Sequence, residues 1–187
     1  FGGLAENTKG ITTMTWQLDT AHSTIQFGVK HMLVATTRGK FTDYTVDAAI
    51  DETDVARSVA TVTINAASIE TGDSGRDGHL KSPDFFDVER FPTITFASKR
   101  LEPKKDGEFR LVGDLTIRGI TREVVLDAEV AAPSKDPFGA VRAGISAEGK
   151  VNRKDFGLTW NAPVEAGGIV VADTVKLTID LELNKQN

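Results

Sequence analysis

The chain of 187 residues contains no cysteine. This absence excludes disulfide bonds, thiolate metal sites and cysteine nucleophiles. It leaves the compartment open, because exported proteins can also lack cysteine. A chain of this length fits one all-β domain and can bury a core without covalent cross-links.

Long apolar runs are also absent. No stretch approaches the roughly 20 apolar residues of a membrane-spanning helix, and no basic start leads into an apolar core as in a signal peptide. Residues 1–13 are polar and precede Met14, so we expect a disordered extension or tag remnant there and a single domain over residues 14–187. Without a visible leader, a cytoplasmic location is expected; a removed leader would imply export.

Positive charge is scarce: 22 Lys and Arg residues stand against 27 Asp and Glu residues, a net charge of -5. Nucleic-acid binding requires a basic footprint, so this class is disfavoured. An acidic lipid surface is disfavoured for the same reason.

Helical periodicity is nearly missing, and an alternation of apolar and polar residues with period two takes its place, which is typical of half-buried strands. Eight strands are predicted, over residues 25–31, 38–51, 58–65, 93–101, 108–117, 121–130, 140–151 and 175–183. Eight antiparallel strands joined in order favour a closed up-and-down barrel, since closure removes exposed edges. A two-sheet sandwich is the alternative.

Two stretches do not fit a strand. Residues 75–87 (GRDGHLKSPDFFD) indicate one or two short helices, with Pro83 at a helix start. Residues 157–173 are rich in glycine and proline and indicate a long loop, as do Pro133, Pro137 and Gly139 between the sixth and seventh strands.

The predicted inward faces mix small with large side chains. Ala48, Ala60, Ala128, Ala143 and Gly113 share them with Phe27, Leu115 and Leu177. An eight-stranded barrel can be filled by its own side chains or hold one ligand. Many small inward residues make crystal-like packing harder to reach, which favours a hollow apolar interior. A domain with a solid core, structural or partner-binding, remains an alternative.

An apolar tunnel selects long chains. A buried methylene contributes ~0.8 kcal/mol, so one prenyl unit contributes nominally about 3–4 kcal/mol. Association costs roughly 4–15 kcal/mol, so several units are needed for tight retention.

Several sequence blocks resemble the YceI-like polyisoprenoid-binding family. They cover nearly the whole predicted domain: residues 19–23 (DTAHS), 27–31 (FGVKH), 38–41 (RGKF), 76–87 (RDGHLKSPDFFD), 91–96 (FPTITF), 113–119 (GDLTIRG) and 152–158 (NRKDFGL). The resemblance implies an elongated lipocalin-like barrel that binds isoprenoid lipids such as quinones or polyprenyl chains. Transport, storage and stress response are the roles proposed for such proteins, and many relatives are exported.

The polar candidate residues could have either a ligand-binding or a structural role. Arg76, Asp77 and His79 could face a lipid head group at the cavity mouth, or Arg76 and Asp77 could pair with neighbours to fix the helical turn. His31 shares a face with Phe27, so we expect an inward polar residue. The three histidines show no metal-ligand spacing, and no nucleophile elbow supports a Ser-His-Asp triad. No catalytic residue, metal or cofactor is therefore predicted.

The function expected from the sequence is binding, and carriage or storage, of a long-chain isoprenoid lipid, without enzymatic activity. An enzyme acting on an isoprenoid or fatty lipid at the barrel mouth is the alternative. Phe85 and Phe86 are expected to close the mouth over a lipid tail, and a homodimer is considered as the assembly. The predicted ligand-binding residues are Phe27, His31, Arg76, Asp77, His79, Phe85, Phe86, Phe96, Leu115 and Leu177.

Overall fold

The computed structural model describes residues 16–165 and 167–186. The expected extension at residues 1–13 lies outside this part of the chain. No helix within the described ranges is long and apolar enough to cross a membrane.

Strands dominate the described residues, and all belong to one antiparallel sheet. Strands β1 to β11 span Trp16–Leu18, Thr24–His31, Ala35–Phe41, Tyr44–Ala49, Val59–Asn65, Ile69–Glu70, Thr93–Pro103, Glu108–Ile117, Ile120–Lys135, Val141–Asn152 and Val171–Lys185. Short 3₁₀ turns lie at Thr20–His22, Val55–Arg57, Ala66–Ser68, Lys105–Gly107 and Arg153–Phe156. The all-β prediction is confirmed.

The sheet curls into a barrel. Its strand order is β4-β5-β7-β8-β9-β10-β11-β2-β3-β6, with β1 beside β11. Only Thr42 and Asp43 separate β3 from β4, but no ladder pairs these two strands in the described chain, so the curled sheet is a half-barrel and not the closed barrel that was predicted. Neighbours in the barrel thus follow chain order, as expected of an up-and-down topology.

Eleven strands replace the predicted eight, although each predicted strand is found. The predicted strand 38–51 is divided into β3 and β4. The Ser68 hydroxyl accepts hydrogen bonds from the backbone N–H groups of Thr42 at 3.2 Å and Asp43 at 3.1 Å. Donors that bond to a side chain are lost to the strand ladder, so the strand breaks there. The short strands β1 and β6 are the other additions.

One α-helix, α1, spans Ser74–Lys81 in the described chain. Asp73 caps it by accepting a hydrogen bond from Arg76 N at 2.8 Å, which satisfies one of the free N–H groups of the first turn. The predicted helix start at Pro83 is wrong, because turns follow α1 there.

The loop predicted around Pro133 is shorter than expected, since β9 continues to Lys135. The pairing register of β9 with β10 shifts between Arg142 and Gly144. Proline donates no ladder hydrogen bond and is tolerated in a sheet at such an irregularity.

Candidate functional site

An apolar cavity of about 290 Å³ runs inside the barrel. Its walls are the inward side chains of the ladder. On one side Val62 lies opposite Phe96 and Phe96 opposite Leu115, and on the other Phe27 lies opposite Leu177.

The cavity is long and narrow. On β11 alone, its lining extends from Val171 to Leu183, which at about 3.3 Å per residue is roughly 40 Å along the strand. Strands tilt relative to the barrel axis, so the cavity is shorter than this stretch of strand, but a volume of about 290 Å³ spread along it still leaves a thin passage. Such a shape suits an extended chain better than a compact ligand.

Two glycines make room for aromatic rings in the wall. A Cβ atom added to Gly113 would lie 2.3 Å from the Phe96 ring, and one added to Gly39 would lie 2.3 Å from the Phe27 ring. Each ring therefore lies against a glycine on the neighbouring strand. At each of the two positions, the aromatic ring occupies the space that a Cβ atom on the glycine would need.

One end of the barrel is sealed; we call it the helix end. It is formed by α1, the β8–β9 turn, and residues 153–165 and 167–170. Phe85, Leu158 and Phe156 line the cavity here, with exposed fractions of 6%, 6% and 1%. Phe85 is held in place by Arg118, whose guanidinium donates hydrogen bonds to the carbonyl oxygens of Phe85 at 3.2 Å and Gly157 at 3.3 Å.

The lining reaches the surface at the opposite end. Val59 lines the cavity and is 50% exposed. Val55, in the short 3₁₀ turn Val55–Arg57, and the exposed Ala131 on β9 line it beside Val59. An entrance at this end would not require α1 to move.

Six of the ten predicted ligand-binding residues line the cavity: Phe27, Phe85, Phe86, Phe96, Leu115 and Leu177. Their positions follow from strand alternation, apart from Phe85 and Phe86, which lie in the turn after α1. Their contact with a ligand stays a prediction.

Arg76 and Asp77 do not belong to the cavity lining. The Arg76 guanidinium donates to the Thr71 hydroxyl and to the Thr71 carbonyl oxygen, each at 2.8 Å. The Asp77 carboxylate accepts from Thr71 N at 2.9 Å and from the Thr71 hydroxyl at 2.5 Å. Both side chains therefore fix α1 to the end of β6. This arrangement agrees with the structural role considered for them, and not with contact to a lipid head group.

His79 also lies outside the cavity lining, among aromatic rings. Its Nε2 is 2.8 Å from Asp84 Oδ2, and its ring packs edge-on against Phe85 and Trp160 with centroids 5.1 Å and 4.7 Å away. His79 thus supports the cap formed by Phe85 from behind.

His31 differs from its expected inward position. It is the last residue of β2, is exposed and does not line the cavity. The strand alternation that places Phe27 and Val29 inside ends at this residue, where the chain turns into the β2–β3 hairpin.

Arg153 also lines the cavity, although it was not among the ten predicted ligand-binding residues. It is 4% exposed, and burial lowers the pKa of its guanidinium. It donates to the carbonyl oxygens of Ala172, Leu158, Trp160 and Val171 at 2.9, 2.6, 2.8 and 3.2 Å. The segment 152–155 (NRKD) carried no signal that would separate this buried arginine from an exposed one.

A second polar cluster lies on the barrel wall. Ligand atoms of Asp19, His22 and Glu182 lie within 4.8 Å of one another. The hydrogen bond between His22 and Asp19 lowers the pKa of Asp19 to about 2 and raises that of His22. Arg142 contacts Asp19 at 3.1 Å and Glu182 at 2.6 Å. Arg142 also contacts Asp136 at 2.8 Å, so its guanidinium offsets part of the negative charge of three carboxylates.

Comparison with known proteins identifies the family to which this chain belongs. The family model of the YceI-like domain matches residues 16–183. The chain belongs to the YceI-like family. A curated relative, UPF0312 protein SAS2572 of Staphylococcus aureus (strain MSSA476), is 38% identical over 167 residues, which are 89% of this chain and 95% of the relative.

Solved structures agree on the fold. The YceI protein of Campylobacter jejuni is 32% identical, with a TM-score of 0.72 over 84% of this chain and 90% of its own. BcnA of Burkholderia cenocepacia has a TM-score of 0.76 at 24% identity, covering 88% and 98% of the two chains. A polyisoprenoid binding domain from Saccharophagus degradans has a TM-score of 0.65 at 16% identity, covering 92% and 99%. The last two show the barrel fold alone.

Proposed function

We propose that this protein binds a long-chain isoprenoid lipid in the barrel and carries or stores it. The observation that carries the proposal is the thin apolar passage of about 290 Å³ along the barrel. Membership of the YceI-like family supports it, as does a fold shared with a polyisoprenoid binding domain.

The lining favours an uncharged part of the ligand inside the barrel. Among the described residues that line the cavity, Arg153 alone carries a charge. Its donors are already engaged by four carbonyl oxygens, and its Nη2 lies 3.7 Å from Asp173. An anionic head group buried beside it would lack a free partner, which is costly. A prenylquinone or the tail of a polyprenyl lipid fits, with any charged head group at the surface.

Binding rather than catalysis is the role that we propose. The candidates for chemistry at the barrel mouth were Arg76, Asp77 and His79. In this structure their polar atoms bond to Thr71 and Asp84 and not to groups in the cavity. None of these three candidates for the enzymatic alternative is therefore placed at the passage.

The proposal is tested by introducing a charge into the wall. Leu177 and Leu115 line the cavity, so Leu177→Arg and Leu115→Arg place a guanidinium in the path of the lipid tail. Native mass spectrometry of the purified protein, with and without an added prenylquinone, should detect a bound lipid in the parent and none in either variant.

The matched control is Val125→Arg, because Val125 is an apolar residue that is 49% exposed and lies outside the cavity lining. It should bind as the parent does. Circular dichroism confirms that each variant is folded. A parent protein that stays empty with added prenylquinone, or a folded Leu177→Arg variant that binds normally, contradicts the proposal.

A further inference from the structure

The tip of the β2–β3 hairpin exposes three consecutive apolar side chains. Met32, Leu33 and Val34 are 46%, 67% and 83% exposed. The turn is closed by a hydrogen bond from Val34 N to His31 O at 3.2 Å. Single exposed apolar residues are normal, but three together at one hairpin tip indicate a contact surface.

The turn conformation makes the choice of residues more unusual. Met32 and Leu33 have φ angles of 50° and 62°. Hairpin turns with two positive φ angles favour Asn-Gly or Asp-Gly, because a side chain strains the left-handed backbone. The presence of Met32 and Leu33 at these positions is therefore explained neither by the requirements of the turn nor by solubility. Residues that break a local rule in this way are expected where function requires them.

A row of basic residues crosses the outer wall next to the tip. The ladder places Lys150 opposite Lys176, Lys176 opposite Gly28, and Gly28 opposite Arg38. The three cations are exposed. Like charges directly opposite each other destabilise a sheet, so a pair such as Lys150 and Lys176 gains nothing for the fold.

Few acidic groups offset this row. Glu148 lies 3.7 Å from Lys176, whereas Arg38, Lys150 and the neighbouring Lys30 form no ion pair with the residues that the structure describes. The wall is therefore locally basic although the chain carries a net charge of -5. Net charge alone disfavoured acidic lipid surfaces, but it does not show where the cations lie.

We propose that the β2–β3 hairpin and the basic row of Lys30, Arg38, Lys150 and Lys176 form a docking face for an anionic phospholipid bilayer. The apolar tip enters the interface between head groups and acyl chains, and the cations lie against the phosphates. An acidic protein surface would match the cations but not the three apolar side chains at the tip. The combination fits a bilayer, which offers both.

The docking face adjoins the cavity. Val29 and Val171 line the cavity, and Val171 pairs with His31 at the base of the hairpin. Because Met32 N donates to Val170 O in the loop before β11, this is the helix end, so docking would bring the sealed end of the barrel, and not the end near Val59, to the membrane. The inference goes beyond lipid binding, because it concerns where the protein meets a membrane.

Vesicle flotation tests the inference, with vesicles of phosphatidylcholine alone and vesicles that also contain phosphatidylglycerol. We expect binding to the anionic vesicles that weakens with salt, since exposed charges are screened. Leu33→Glu should abolish it. Lys176→Glu should weaken it at least roughly fivefold, the factor expected for one cation near an anionic surface.

The control variants are Phe138→Glu and Lys105→Glu. Phe138 is 95% exposed and lies in the β9–β10 connection at the other end of the barrel, and Lys105 is an exposed cation in the β7–β8 connection. Both variants should bind like the parent. Equal loss in the controls, equal binding to neutral vesicles, or no binding at all overturns the inference.

Light scattering separates a second copy of the chain from a membrane as the occupant of the face. A parent that forms dimers lost in Leu33→Glu, without vesicle binding, would overturn the membrane assignment. The vesicles contain no isoprenoid, and the readout is protein on the vesicles. The result is therefore independent of whether the cavity takes up a prenylquinone.

Discussion

Arg153 joins three segments through one side chain. Its guanidinium bonds to carbonyl oxygens of residues 158, 160, 171 and 172, and so connects the 3₁₀ turn after β10, the following loop and the start of β11. We expect Arg153→Ala to lower the free energy of unfolding by about 3 kcal/mol, because buried acceptors lose their donor. Urea denaturation measures this change.

The neighbouring Lys154 provides the control. It is exposed and contacts Asp173 at 3.3 Å, and an exposed pair contributes only about 0–1 kcal/mol. Lys154→Ala should therefore unfold at nearly the parental urea concentration. Equal effects of the two substitutions would show that the carbonyl contacts of Arg153 do not stabilise the fold.

Individual residues were predictable where strand alternation determines their direction. Phe27, Phe96, Leu115 and Leu177 line the cavity as this period requires. Arg76 and His79 were not predictable, because their direction depends on contacts in the segment around α1, where Thr71 and Asp84 compete with the cavity for their donors.

At the scale of the strand, the close packing of β7 against β8 requires a glycine at position 113, next to the Phe96 ring. An alanine Cβ at position 113 would lie 2.3 Å from the Phe96 ring and 2.7 Å from the Ala97 carbonyl oxygen. We expect Gly113→Ala to destabilise the protein by about 1–3 kcal/mol, since the backbone or the ring must move. Thermal or urea denaturation measures the loss.

Gly78→Ala is the matched glycine control. Gly78 lies in α1, and an added Cβ meets nothing within 4 Å. Alanine forms helices better than glycine by about 1 kcal/mol, so this variant should be as stable as the parent or more stable. A Gly113→Ala protein as stable as Gly78→Ala would contradict the proposed close packing.

The strands also show why element boundaries depend on distant residues. The alternation of residues 38–51 changes phase between Phe41 and Tyr44, where Ser68 takes the backbone donors of Thr42 and Asp43. Ser68 is separated from them by the whole of β4 and β5. The local pattern can mark the break, but it does not identify the distant partner.

For the molecule as a whole, the length of the cavity predicts a dependence on chain length. Each additional prenyl unit buries more apolar surface, nominally about 3–4 kcal/mol, until the chain exceeds the passage. In a series of prenyl alcohols of increasing length, the shift of the melting temperature should rise with the number of units and then level off.

A compact aromatic compound of similar apolar area serves as the control, because it does not fit a thin passage. It should shift the melting temperature less than the extended chain. Equal shifts for both compounds, or no dependence on chain length, would show that the ligand is not held along the barrel.

The sequence by itself determined the all-β class, the positions of most strands and most of the inward faces, because strand alternation is a local property of the chain. Tertiary structure decided the rest. The curling of the sheet, the sealing of one end by Phe85 and Arg153, and the basic row across β10, β11, β2 and β3 all depend on which strands become neighbours. Residues far apart in sequence meet only through that pairing, so neither their contacts nor their combined charge can be read along the chain.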